Sequence, residues 1–161
     1  MSVVIGDLLR IINPRGRRRE TGRVRHRVGA GVAVLRNRAE VLLVRRGDNG
    51  LWDLPGGAVN VGEEVEAAAR RELAEETGLT SGPLRLLGVL SGDRHRHVYP
   101  DGNEVAWVTV LYTAPFTGGT PRAGDDAAEV TWWPLGALPD DVGEATRAYF
   151  DALRARVGET A

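Results

Sequence analysis

Three carboxylates, Glu72, Glu75 and Glu76, fall close together in the run GAVNVGEEVEAAARRELAEETGL, Gly57 to Leu79. Ala, Leu, Glu and Arg are strong helix formers, and Glu63 to Thr77 contains neither Pro nor Gly. The run therefore predicts one helix of about four turns, with Gly78 as its stop. At about 100° per residue the three glutamates share one face, where like charges repel by roughly a few tenths of a kcal/mol per pair. A divalent cation between them removes that cost. Hard oxygen ligands suit Mg²⁺ or Mn²⁺, and Mg²⁺ commonly takes substrate phosphates among its remaining ligands, so a polyphosphate substrate is expected. A solvated acidic helix face is the plain alternative. Upstream, Pro55-Gly56-Gly57 forms a loop whose backbone can approach a ligand closely, and Gly57 is its expected carbonyl ligand. Val65, Ala69 and Leu73, four apart, form the apolar stripe that pins the helix to a core, with Arg71 beside Glu75.

The spacing carries more information than the acids alone. Gly57, Glu63, Arg71, Glu72, Leu73, Glu75, Glu76, Gly78 and Leu79 occupy every fixed position of G-x5-E-x7-R-E-U-x-E-E-x-G-U, with U aliphatic. The chain thereby resembles the Nudix family, with weaker similarity in the VLLVRR strand before this run and the DDAAEVTWW segment after it. Residues 1–161 read as a single Nudix domain, 1–27 being an N-terminal helix and Arg-rich arm and 28–161 the core. The resemblance implies an α/β fold, an α/β/α sandwich around a mixed sheet. It also implies attack of water on a diphosphate linkage, in a nucleoside diphosphate derivative or a nucleoside triphosphate, with Mg²⁺ or Mn²⁺ as cofactor.

Carried over residue by residue, the resemblance makes Glu72, Glu75 and Glu76 metal ligands together with the Gly57 carbonyl. Arg71 orients a neighbouring glutamate. Glu63 holds a structural place, for which capping of the first helical turn is the preferred role. Glu72, held by Arg71, is the first choice of general base. Such enzymes also place the base on a downstream loop, so Asp126 and Glu129 compete, with Glu104 behind them. Asp126 and Glu129 serve equally as outer metal ligands or as ordinary loop charge. Two further readings stay open: a nucleotide-binding regulator without turnover, and a pyrophosphohydrolase of RNA ends. The intact acids argue against the first.

The elements that must position these groups are legible in outline. Val3 to Ile12 has apolar residues at helical spacing and stops before Asn13-Pro14. Residues 15–27 carry seven Arg and His26, the signature of a solvated arm or of phosphate contact, with no interleaved aromatics to stack on bases. Val28–Leu35 and Val41–Arg46 read as strands joined by a turn at Arg36-Asn37-Arg38, and Leu84–Leu90, Val105–Thr113 and Val130–Trp133 as further strands. Trp52 packs in the core or walls the substrate site. SGDRHRHVYPDGNE reads as a polar loop and Pro115–Gly124 as another, while Val142–Val157 predicts a C-terminal helix on the sheet.

Within the first of those loops, Arg94 and Arg96 are candidate phosphate contacts, or a solvated turn. Tyr99 stacks on a base, or belongs to the turn Tyr99-Pro100-Asp101-Gly102. His95 and His97 lack the further ligands that a zinc site needs, since His26 is the only other histidine.

The chain has 161 residues, no Cys, 42% hydrophobic and 27% charged residues, and a formal charge of −1. That suits one ordinary domain, excludes thiol redox chemistry and thiolate metal sites, and provides no global attraction to nucleic acid or membrane. No run approaches the length of a membrane span, and the start lacks a signal-peptide pattern, so a cytoplasmic location is expected. The expected partner is a nucleotide-type small molecule, and such domains often form homodimers.

Overall fold

A computed structural model describes residues 24–98, 102–124 and 126–158. The expected helix at Val3 to Ile12 lies outside the described residues, as does Tyr99. β1 (Val24–Arg36) and β2 (Glu40–Arg46) form a hairpin. Both central residues of its turn, Asn37 and Arg38, are left-handed with φ of 52° and 56°, the geometry that matches the twist of the flanking strands. β1 starts at Val24, so the last four residues of the Arg-rich run are strand, paired with Glu104–Trp107 of the next long strand.

β3 (Trp52–Asp53) pairs with β2, and β4 (Gly56–Ala58) pairs with Gly29–Gly31 of β1. β1 thus has β2 beside its C-terminal end and β4 beside its middle, and the sheet parts between them. α1 (Val65–Thr77) follows β4. β5 (Arg85–Leu90), β6 (Arg96–Val98) and β7 (Glu104–Pro115) complete one side, and β8 (Ala127–Pro134) the other, before α2 (Glu144–Gly158). The sheet order is β3-β2-β1-β7-β5, with β4, β6 and β8 on side branches. β1 and β7 run parallel from Val24↔Glu104 to Leu35↔Pro115 while the other pairings are antiparallel, which makes the sheet mixed as expected.

Side-chain alternation gives each face its own helix. Ala30, Val32 and Val34 of β1 and Leu42 of β2 meet Ala68, Ala69 and Leu73 of α1. Ala33, Val41 and Leu43 point the other way, onto Tyr149, Phe150 and Leu153 of α2. Trp52 is core on the α2 side. The polar loop after Leu90 is more structured than expected. It makes a 3₁₀ turn at Asp93–His95, then β6, which adds to β7 through Arg96↔Ala106 and Val98↔Glu104. β6 carries no run of apolar residues by which to be read; the ladder offered by β7 forms it.

Candidate active site

α1 begins at Val65, two residues later than the sequence suggests, because Glu63 is engaged elsewhere. Its carboxylate accepts the Asn60 N–H at 2.9 Å and both Nε and Nη2 of Arg71, at 2.8 and 3.0 Å. Those bonds, led by the one from Arg71, hold Glu63 down to a pKa of about 2. It makes no capping bond to the helix; its structural role is to clamp Arg71. Gly78 closes α1 in the left-handed region, with φ of 69°, donating to Ala74 O.

Arg71 spends its remaining donors on the site. Nη2 donates to the Ala58 carbonyl at 3.0 Å, and Nη1 to Glu72 Oε1 at 2.7 Å and Glu75 Oε2 at 3.0 Å. One guanidinium thus ties the loop before α1, strand β4 and two of the three glutamates together, and the carboxylates around it raise its pKa further. Glu72 lies against β4. A Cβ on Gly57 would stand 2.5 Å from the Glu72 carboxylate, so only glycine leaves room for it.

The third carboxylate, Glu76, accepts the Gly56 N–H at 2.9 Å. Burial pushes its pKa up to about 7, helped by the charges of Glu72 and Asp53 and opposed by the Gly56 bond and Arg46. A carboxylate in that position calls for a cation. The carbonyl beside it is not the expected one. Flanking bonds from Val32 N to Pro55 O (2.9 Å) and from Val59 N to Val28 O (3.0 Å) fix the β1–β4 ladder, and the alternation of an antiparallel pair then turns both backbone groups of Gly57 inward to Ala30. Gly56 is the residue whose N–H and C=O face α1.

Two residues that sequence reading missed border the carboxylates. Asp53 sits where the sheet parts. Its Oδ1 accepts the Leu54 N–H at 2.8 Å and the Thr146 hydroxyl of α2 at 2.9 Å, and burial raises its pKa. Arg46 forks onto Asp48 at 3.0 and 2.8 Å and turns Nη1 to Asp53 at 3.9 Å. The only advance signal for Arg46 was its place at the end of VLLVRR.

The other candidates are scattered. Glu129 pairs with Arg45 in the β2–β8 register, which puts it on the α2 face, 3.8 Å from Arg45 Nη1 and away from α1. Asp126 is exposed, its carbonyl accepting the Gly47 N–H at 3.0 Å, beside a loop whose Gly124 N–H bonds Glu76 O. Glu104 and Arg96 pair with each other on the β6–β7 hairpin. Arg94 borders two surface cavities of about 570 and 390 Å³ that lie against α2, and none of the α1 glutamates lines either. His95 is buried and stacked on Tyr149. Among the described residues no three His, Asp or Glu side chains stand together as a ready-made metal cage. Arg71 holds Glu72 and Glu75 through the same Nη1, and Glu76 lies beside Gly56, so the three carboxylates and the Gly56 carbonyl, which the ladder leaves unpaired with β1, offer a hard-oxygen set that fits Mg²⁺ or Mn²⁺.

The chain is similar to known proteins in sequence and in fold. A profile for the NUDIX domain matches residues 25–153. An ADP-ribose pyrophosphatase of Methanocaldococcus jannaschii is 38% identical over 123 residues, covering 74% of this chain and 69% of that protein. An 8-oxo-(d)GTP phosphatase of Mycolicibacterium smegmatis is 33% identical over 103 residues, 64% of this chain and 30% of that one. Among solved structures, a MutT NUDIX hydrolase from Burkholderia pseudomallei superposes with a TM-score of 0.67 at 33% identity, covering 80% of this chain and 98% of that one.

Proposed function

Because the chain belongs to the NUDIX domain family, we propose that it is a divalent-metal-dependent pyrophosphohydrolase of the α1 site, cleaving the diphosphate of a nucleoside diphosphate derivative such as ADP-ribose or of a nucleoside triphosphate. The observation that carries this reading is the convergence of Glu72 and Glu76 beside Gly56, clamped by the Glu63–Arg71 fork. Glu72, Glu76 and the Gly56 carbonyl would hold the ion, with Glu75 on the same side of α1. When bound, Mg²⁺ or Mn²⁺ neutralises phosphate charge and activates water.

The chain's own groups do the positioning. Arg71 donates to one lone pair of Glu72 Oε1, which keeps the other lone pair of Oε1 for the ion and leaves Oε2 to accept the proton of the attacking water. The missing side chain at Gly57 lets that carboxylate lie against the strand. Arg46, turned toward Glu76 and Asp53, supplies positive charge to the phosphates.

The test is hydrolysis of a panel of nucleoside triphosphates, ADP-ribose, nucleotide sugars and dinucleoside polyphosphates, run in ¹⁸O-labelled water with Mg²⁺ and with Mn²⁺. One class turned over, with label in one phosphate product and no turnover by Glu76→Gln, supports the proposal. Tight binding without product across the panel overturns it in favour of a nucleotide-binding regulator.

A further inference from the structure

A helix leaves its last four carbonyls without partners of its own. In α1 these belong to Ala74, Glu75, Glu76 and Thr77, and the Gly78 N–H satisfies the first at 2.9 Å. The segment that leads into β8 supplies donors for two more. Glu76 O accepts the Gly124 N–H at 3.0 Å and Thr77 O the Arg122 N–H at 2.9 Å. Gly124 approaches the helix more closely than those bonds require. A Cβ there would stand 1.7 Å from Glu75 O and 3.2 Å from Glu76 Cα, backbone atoms of the turn that carries two of the three carboxylates. Its φ is not positive, so closeness of approach, and not turn geometry, calls for glycine at this position.

The same segment then reaches the other half of the site. Gly124 O accepts the Ala127 N–H at 3.1 Å, Asp126 O accepts the Gly47 N–H at 3.0 Å, and Ala127 opens β8 opposite Arg46. The β2–β8 register shifts between Arg45 and Arg46, an irregularity of the kind that re-aims a side chain. Gly47 follows directly on Arg46, whose guanidinium faces Asp53 and whose charge reaches Glu76. We infer that Gly124 is a positioning residue for the proposed hydrolysis, setting Glu76 against Arg46 through the backbone; the inference rests on the α1 carboxylates binding a divalent ion. A side chain at Gly124 meets helix backbone, and no flexible group stands there to yield. The segment is tied down on both sides of Gly124, at Thr77 by Arg122 and at Gly47 by Asp126, so the turn bearing Glu75 and Glu76 is what moves. Losing a group that holds a metal ligand in place typically costs about 10- to 100-fold in metal affinity.

The test is Mn²⁺ binding, read from the EPR signal of the free ion, in the full parent chain, in Gly124→Ala and in Gly78→Ala. Gly78→Ala strains the same helix end where an added Cβ meets nothing within 4 Å, so it controls for lost stability alone. The expected result is binding at least about tenfold weaker in Gly124→Ala and unchanged in Gly78→Ala, both measured below their Tm. Parent affinity in folded Gly124→Ala overturns the inference, and so does equal weakening in Gly78→Ala. Gly47→Ala presses on the segment from its other end, since its Cβ would stand 3.2 Å from Asp126 O. Should Gly124→Ala not fold, this variant carries the test: severalfold weaker binding is expected, and parent affinity overturns the inference. A parent chain that binds no Mn²⁺ would instead remove the α1 metal site itself, so the two failures read differently.

Discussion

Glu76 concentrates the electrostatic conflict of the site in one residue. Its folded-state pKa, about 7, lies above the ordinary 4.5, so ionising it costs the folded state on the order of 3 kcal/mol at most. The sign follows directly: without metal, stability falls as pH rises from 4.5 to 7 and levels off above. Apoprotein Tm is therefore expected to drop by several degrees between pH 5 and pH 8, and Glu76→Gln should flatten that drop. The same variant should lose the Mg²⁺-dependent rise in Tm at pH 8 and about a hundredfold or more in kcat. Differential scanning calorimetry with and without metal reads both thermal effects. Arg71 makes the complementary case. Its fork reaches Glu63, Glu72, Glu75 and the Ala58 carbonyl at once, which an ammonium group cannot do, so Arg71→Lys should lower kcat nearly as far as Arg71→Ala. Equal kcat in Arg71→Lys and the parent would show that the fork is not needed. The glutamates and Arg71 were readable because a single helix fixes their spacing. Arg46 and Asp53 were not, since they approach Glu76 only through strand pairing.

Among the elements, α1 and β4 must fit each other closely, and the glycines record where. Gly57→Ala would drive its Cβ into the Glu72 carboxylate, so it should cost activity of about a hundredfold while Tm shifts much less. Steady-state kinetics beside calorimetry separates the two. Gly78→Ala tests the opposite case. It strains a left-handed helix stop where an added Cβ meets no neighbouring atom within 4 Å, carboxylates included, and should cost about 1 kcal/mol, about 2–4 °C in Tm, with kcat unchanged. Helix α1, its stop and the β1–β2 hairpin were legible because local patterning specifies them. The register of β4 on β1 was not, since it pairs residues far apart in sequence. That register decides whether Gly56 or Gly57 offers its carbonyl. β6 was missed for the same reason, its existence depending on the free edge of β7.

Taken whole, the molecule is a sheet held between two helices that parts near its middle, and Asp53 bridges the gap. One oxygen is bound by Thr146 of α2 while the other faces Arg46 on the α1 side, so the layer that carries no catalytic group still steadies the one that does. Thr146→Val should leave a half-buried carboxylate short of a donor and cost about 1–3 kcal/mol, read as a fall in Tm. A mixed sheet between helices could be foreseen from strands before and after a central helix, whereas a contact spanning Asp53 to Thr146 could not. The account rests above all on a divalent ion held at the α1–β4 junction. Anomalous diffraction from crystals grown with Mn²⁺ and a non-hydrolysable nucleotide tests this most directly. A manganese peak among Glu72, Glu76 and the Gly56 carbonyl, next to the nucleotide's phosphates, is the predicted result; nucleotide bound with no manganese there would contradict it.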